Sequence, residues 1–217
     1  MALAIFDLDE TLINGDCASL WSREMARLGW VDGECFMQRD AQLMAAYGEG
    51  KLAMEDYMAF SLAPMAGRAR HAVASDVADF VPAVIDPLVY ADARATIARH
   101  RSAGDRLLVI SASGVHLVAP IAAHLGIDEV LAIDLELLDG HFSGRTEGVL
   151  TYREGKVTRL LTWLDSEGET LEGASFYSDS RNDLPLLCAV SHPYAVNPDP
   201  VLLAHAQQAR WPVLSWR

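Results

Sequence analysis

The chain has few cysteines, fewer basic than acidic residues, and no long apolar run. Its 217 residues include three cysteines, Cys17, Cys35 and Cys188. An odd, widely spaced trio gives neither a disulfide framework nor a zinc-binding spacing. A reduced, cytoplasmic protein is the simplest expectation. Cys188, within Leu186-Leu187-Cys188-Ala189, reads as a small buried hydrophobe. Lysine and arginine number 17 against 30 acids, a net charge of -13. That balance argues against nucleic-acid binding, which relies on clustered lysine and arginine. A small phosphorylated ligand stays compatible, because a divalent cation and one lysine can reverse the field inside a pocket. No apolar stretch is long enough to cross a membrane. Asp7 and Asp9 interrupt the first apolar run and no basic segment precedes it, so no signal peptide is expected. Monomer and homodimer both remain open.

What is present is ordinary globular composition, 51% hydrophobic and 22% charged, with enough chain for a sizeable core. Leu3 to Phe6 reads as a short strand buried on both faces. Asp7 follows at its carboxyl end, and Asp9, two residues on, points to the same side of an extended backbone. Two convergent carboxylates repel unless a cation or a proton intervenes. On these residues alone, a strand terminator plus a helix cap is an equal reading.

Residues 16–84 are rich in alanine, methionine and leucine at helical spacing; Trp21, Met25 and Leu28 fall at i, i+4 and i+7. They predict a bundle of three to five helices with the methionines and aromatics as its core. From residue 87 onward, strands and helices alternate. Strands are expected at 106–110, 130–137, 174–177 and 193–196, and helices at 91–100, 115–125, 156–164, 184–190 and 201–208. Asp139-Gly140 signals a tight hairpin. The expected fold is therefore α/β, a doubly wound, Rossmann-like parallel sheet from residues 1–15 and 85–217, with residues 16–84 inserted as a helical-bundle cap.

Three further segments fall at strand ends or helix starts. Ser111-Ala112-Ser113-Gly114 carries small residues that let backbone N–H groups approach an anion. Lys156 opens a helix, where the dipole disfavours a cation unless a phosphate or carboxylates hold it. Ser178-Asp179-Ser180-Arg181-Asn182-Asp183 delivers two acids and an amide, an oxygen-donor set suited to magnesium. Each also has a plain structural reading: a turn, a surface lysine, a helix cap.

Taken in order, Asp7-Leu8-Asp9-Glu10-Thr11, Ser111, Lys156 and the 178–183 segment resemble the four motifs of the haloacid dehalogenase superfamily of phosphohydrolases. The inserted helices resemble the small cap of its phosphoserine-phosphatase-like branch. The fourth motif departs by opening with Ser178 where glycine is usual, and Asp16 stands where the phosphoserine enzymes carry glutamate. The resemblance implies a hydrolase for a small phosphorylated metabolite, such as phosphoserine, histidinol phosphate or another amino-alcohol phosphate. It implies catalysis by Asp7, Asp9 and Lys156, and phosphate binding by Ser111, Lys156, Asn182 and the N–H groups of Leu8 and Ala112. Mg2+ would be held by Asp7, Asp9 through its backbone carbonyl, Asp179 and Asp183. Asp16, Trp21, Arg23 and Arg181 are the expected specificity residues. A phosphotransferase, or a non-catalytic binder of phosphorylated ligands, fits the same scaffold.

Overall fold

The computed structural model describes residues 2–49, 51 and 53–217, and leaves the side chains of Tyr47 and Gly48 undescribed. Its centre is a seven-stranded sheet in the order β4-β3-β2-β1-β5-β6-β7. The strands are β1 (Leu3–Phe6), β2 (Arg106–Gly114), β3 (Glu129–Leu138), β4 (His141–Glu147), β5 (Ser175–Ser178), β6 (His192–Val196) and β7 (Val213–Leu214). All pair in parallel except the β3–β4 hairpin. That hairpin turns on Asp139 and Gly140, both at positive φ, the backbone a two-residue turn needs to match strand twist. The sequence reading omitted β7, whose two residues are too few to show a period.

The central strand β1 has both faces covered, which is why it reads as unbroken apolar sequence. Ala4 and Phe6 pack under α5 (Ala91–Ala103) and α6 (Val115–His124). Leu3 and Ile5 pack under α7 (Glu154–Glu167), α8 (Leu184–Leu187) and α9 (Pro200–Ala209). Between β1 and α5 lie four α-helices among the described residues: α1 (Cys17–Arg27), α2 (Gly33–Gly48), α3 (Met54–Leu62) and α4 (Arg70–Phe80). The chain enters and leaves this insertion side by side. Asn14 N–H donates to the Leu88 carbonyl at 2.8 Å and Tyr90 N–H to that of Leu12 at 3.1 Å. Trp21, Met25, Met58 and Phe80 of the insertion join the same apolar cluster as the α5–α6 face. Among the described residues, no helix is long and apolar enough to cross a membrane.

Two sequence expectations are corrected here. Cys188 is exposed, not buried. It caps the C-terminus of α8, where the short helix has turned away from the cluster that holds Leu186 and Leu187. Strand β2 runs to Gly114, past the expected end at Ile110, because its register against β3 shifts between those residues. That irregularity carries the serine motif within the strand, and bulges commonly re-aim side chains in this way.

Candidate active site

The carboxyl ends of adjacent strands β2, β1 and β5 bring Ser111, Asp7 and Asp179 to one edge of the sheet, the place where open α/β sheets bind ligands. A cavity of about 240 Å³ opens there, lined by Asp7, Asp9, Asp16, Ala112, Asp179 and Asn182 among others.

Lys156 sits in the first turn of α7, only 2% exposed. Its Nζ donates to Asp7 Oδ1 and to Asp183 Oδ2, both at 2.8 Å. Burial opposes its charge, but Asp183 and Asp7 outweigh that and hold the ammonium pKa above its ordinary value. The carboxylates thus explain a lysine where the helix dipole disfavours one. Burial pushes the Asp7 carboxyl up to about 7, with Lys156 opposing and Asp183 and Asp9 adding to the rise. Asp179 is likewise raised, first by burial and then by Asp7 and Asp183.

Thr11 ties the two strand-end acids together. Its hydroxyl donates to Asp179 Oδ1 at 3.0 Å, lies 3.4 Å from Asp7 Oδ2, and accepts from the Asp179 N–H at 3.0 Å. Asp9 turns toward the serine motif. Its Oδ2 accepts from Ser113 Oγ at 2.8 Å and from Ser111 Oγ at 3.3 Å, and its Oδ1 from Cys17 N–H at 2.7 Å. Sequence reasoning assigned no site role to Thr11 or Ser113, and its plain reading of Ser113 as a helix N-cap gives way to Gly114, which stands at that position. The signal for Ser113 was its spacing of two from Ser111, which places both hydroxyls on one side of a strand.

The structure separates Asp183 from the other acids. Its carboxylate is occupied by Lys156 and by the Ser178 hydroxyl, at 2.7 Å. It is 2% exposed and lies outside the cavity lining. In this arrangement Asp183 positions Lys156, and Ser178, unusual at its place, supports it. Asn182 lines the cavity, its Oδ1 accepting from Arg153 Nε at 3.1 Å and Tyr152 hydroxyl at 3.3 Å.

No group of three acidic, histidine or cysteine side chains gathers around a metal-sized point among the described residues. The available donors are two carboxylates, Asp7 and Asp179, joined through Thr11. Hard oxygen donors at a strongly negative edge fit magnesium, which is held by one or two carboxylates and keeps several waters.

Of the expected specificity residues, Asp16 and Arg181 line the cavity. Asp16 also caps α1 by accepting from Ser19 N–H at 2.7 Å. Burial, then the charge of Asp9, pushes its carboxyl up to about 8. Arg23 is corrected: it is exposed on the outer face of α1, away from the cavity. Trp21 lines a smaller cavity behind this one. It is 2% exposed, meets Phe80 and Trp30 edge-on at 5.2 and 5.7 Å, and does not line the larger cavity. The helical period that put Trp21 in line with Met25 is the core face of α1. Met44, Met54 and Tyr57, not singled out from sequence, form the cap-side wall instead.

Comparison with known proteins agrees with this architecture. The family profile of haloacid dehalogenase-like hydrolases matches residues 4–187. A histidinol-phosphatase of Neisseria meningitidis is 38% identical over 219 residues, covering 99% of each chain. A phosphoserine phosphatase of Mycobacterium tuberculosis is 29% identical, covering all of this chain and 71% of its own. A Bordetella pertussis protein with unknown function superposes with a TM-score of 0.91 at 37% identity, covering 98% of this chain and 97% of its own. A phosphoserine phosphatase solved as a phospho-aspartyl intermediate analogue shares the fold, with a TM-score of 0.72 at 21% identity over 99% of this chain and 92% of its own. The chain belongs to the haloacid dehalogenase-like hydrolase family, and it is an enzyme of the phosphatase kind.

Proposed function

We propose that this phosphatase is a magnesium-dependent phosphomonoesterase acting on a small amino-alcohol phosphate of the histidinol-phosphate type, through an aspartyl-phosphate on Asp7. The observation that carries the reading is the buried Lys156 ammonium, 2.8 Å from both Asp7 and Asp183, held behind Asp7 where that acid and Asp179, at the ends of two neighbouring strands, line a cavity. The histidinol-phosphatase relative, matched end to end, supports the substrate class.

In this reading Lys156 keeps one Asp7 oxygen oriented and screens its charge. The other attacks phosphorus and displaces the alkoxide, as carboxylate nucleophiles can. Asp9, held by Ser113 and the Cys17 N–H, protonates the departing oxygen and then takes a proton from the water that hydrolyses the acyl phosphate. Ser111, Lys156, Asn182 and the N–H groups of Leu8 and Ala112 bind phosphoryl oxygens. Asp7, Asp179 and the backbone carbonyl of Asp9 would hold magnesium, which would supply positive charge against the repulsion between substrate dianion and nucleophile. Residues 16–84 act as the cap that excludes water from this chemistry. Asp16 takes the substrate's ammonium, a partner that stabilises its ionised form.

Asp7→Asn tests the reading. It preserves shape and removes the nucleophilic charge, so turnover of p-nitrophenyl phosphate should fall about a thousandfold or more, the scale of losing a covalent nucleophile. A variant that keeps a tenth of wild-type turnover would remove Asp7 from that role.

A further inference from the structure

Behind the cap-side wall lies a second, much smaller cavity, about 10 Å³, close to the room one water needs. Tyr57 and Ser113 line both cavities, so the two are neighbours across a wall one residue thick. The lining includes three polar groups from three elements: the Trp21 indole N–H of α1, the Tyr57 hydroxyl of α3 and the His116 imidazole of α6. Trp21 Nε1, Tyr57 Oη and both His116 ring nitrogens are buried and have no hydrogen-bond partner among the described residues. Trp21 and Tyr57 are themselves 2% and 5% exposed. Four orphaned polar atoms around one small space are uncommon, because burying such groups unpaired costs on the order of 1–3 kcal/mol each.

Their chemistry defines what would satisfy them. Trp21 only donates, Tyr57 donates or accepts, and neutral imidazole does one of each. Burial holds the His116 pKa down to about 3, so the ring is neutral at any ordinary pH. No residue of the lining is charged at such pH, and an ammonium there would face an indole donor. The occupant is therefore a neutral group with an acceptor lone pair, a donor, or both. Gly114 makes room for this arrangement. A Cβ at that position would meet His116 Nδ1 at 2.7 Å, so the last residue of the serine motif is fitted to the histidine as well as to the phosphate loop.

We propose that this chamber is a specificity subsite for the distal nitrogen edge of a neutral nitrogen heterocycle on the substrate. The ring lies in the larger cavity against Met44, Met54 and Tyr57, and its far nitrogen bonds one water in the small space, whose remaining hydrogen-bonding positions are taken by Trp21, Tyr57 and His116. Asp16 holds the ammonium of the same molecule from the opposite side. The inference rests on the phosphatase reading above and narrows it to amino-alcohol phosphates that carry such a ring.

The test compares histidinol phosphate, phosphoserine and p-nitrophenyl phosphate as probes for wild type, Tyr57→Phe and His116→Phe. In both variants kcat/KM for histidinol phosphate should fall at least tenfold further than for the other two, chiefly through KM. Histidinol as product inhibitor should weaken by a similar factor, while inhibition by inorganic phosphate changes less. Tyr57→Phe removes one hydroxyl and keeps the ring, so it reports even if His116→Phe fails to fold. Equal losses on all three probes, or none, overturn the subsite. So does a wild type that hydrolyses p-nitrophenyl phosphate but prefers phosphoserine to histidinol phosphate, a result that leaves the phosphatase standing. A wild type inactive on all three probes overturns the phosphatase reading itself, and the subsite with it.

Discussion

Asp16 shows how one residue can serve structure and recognition at once. Its carboxylate caps α1 and lines the cavity, and burial, then the charge of Asp9, pushes its pKa up to about 8. An unfolded aspartate titrates near 3.9, so between about pH 4 and pH 8 the folded chain holds a proton that the unfolded chain has lost. Stability from this group is full below pH 4 and is lost as pH rises through 8. Asn caps helices as well as Asp and does not titrate. Asp16→Asn should therefore gain thermal stability relative to wild type as pH rises from 4 to 8, measured as the difference in Tm. A difference constant with pH would show that Asp16 is not protonated in the fold. Asp9 makes a kinetic case at the same scale. A general acid matters most for a poor leaving group, so Asp9→Asn should slow phosphorylation by an alkyl phosphate more than by an aryl phosphate in single-turnover measurements. Equal losses would remove the acid role.

Among the elements, the β3–β4 hairpin does more than close the sheet. Its tip pairs with the turn that precedes α4: Gly67 N–H donates to the Phe142 carbonyl at 2.8 Å, Phe142 N–H to Arg68 at 2.9 Å, and Arg70 N–H to Gly140 at 2.9 Å. Phe142 is 7% exposed and meets the His116 ring at 6.1 Å, joining hairpin, insertion and core. Phe142→Ala should destabilise the protein by about 3–5 kcal/mol, as large-to-small changes of buried phenylalanine do. A loss under about 1 kcal/mol in urea unfolding would mean the hairpin does not anchor the insertion.

At the scale of the whole molecule, the described residues form two apolar clusters, one under α7–α9 and one that runs without a break from α5 and α6 into the insertion. With the insertion sharing a core, cap and sheet should melt in one calorimetric transition, not two. Ligands that bind only the folded site add stability by mass action. Magnesium and orthophosphate together at about a hundred times their dissociation constant should contribute about 2.7 kcal/mol, a rise in Tm of roughly 5–10 °C for a chain of this size. Chelation should abolish both the shift and turnover, and magnesium should restore them.

The sequence by itself determined the strand-helix alternation, the place of the insertion and the residues of the acid cluster, because these depend on local period and on chemistry carried at strand ends. Phe6 to Thr11 and Asp139-Gly140 were legible for that reason. Tertiary structure decided what those residues touch. Asp179 joins Asp7 through a threonine, while Asp183, four residues on, is claimed by Lys156 and Ser178. No spacing rule separates two acids of one loop, since the difference lies in which neighbour each side chain reaches. Trp21 and Arg23 lie two apart on α1, one in the cap core and the other exposed. Met44, Met54, Tyr57 and His116 come from three helices, and only the packing of α3 and the cap against α6 brings them to the site. Burial then sets their charge states, a property that belongs to the folded surroundings and not to any residue alone.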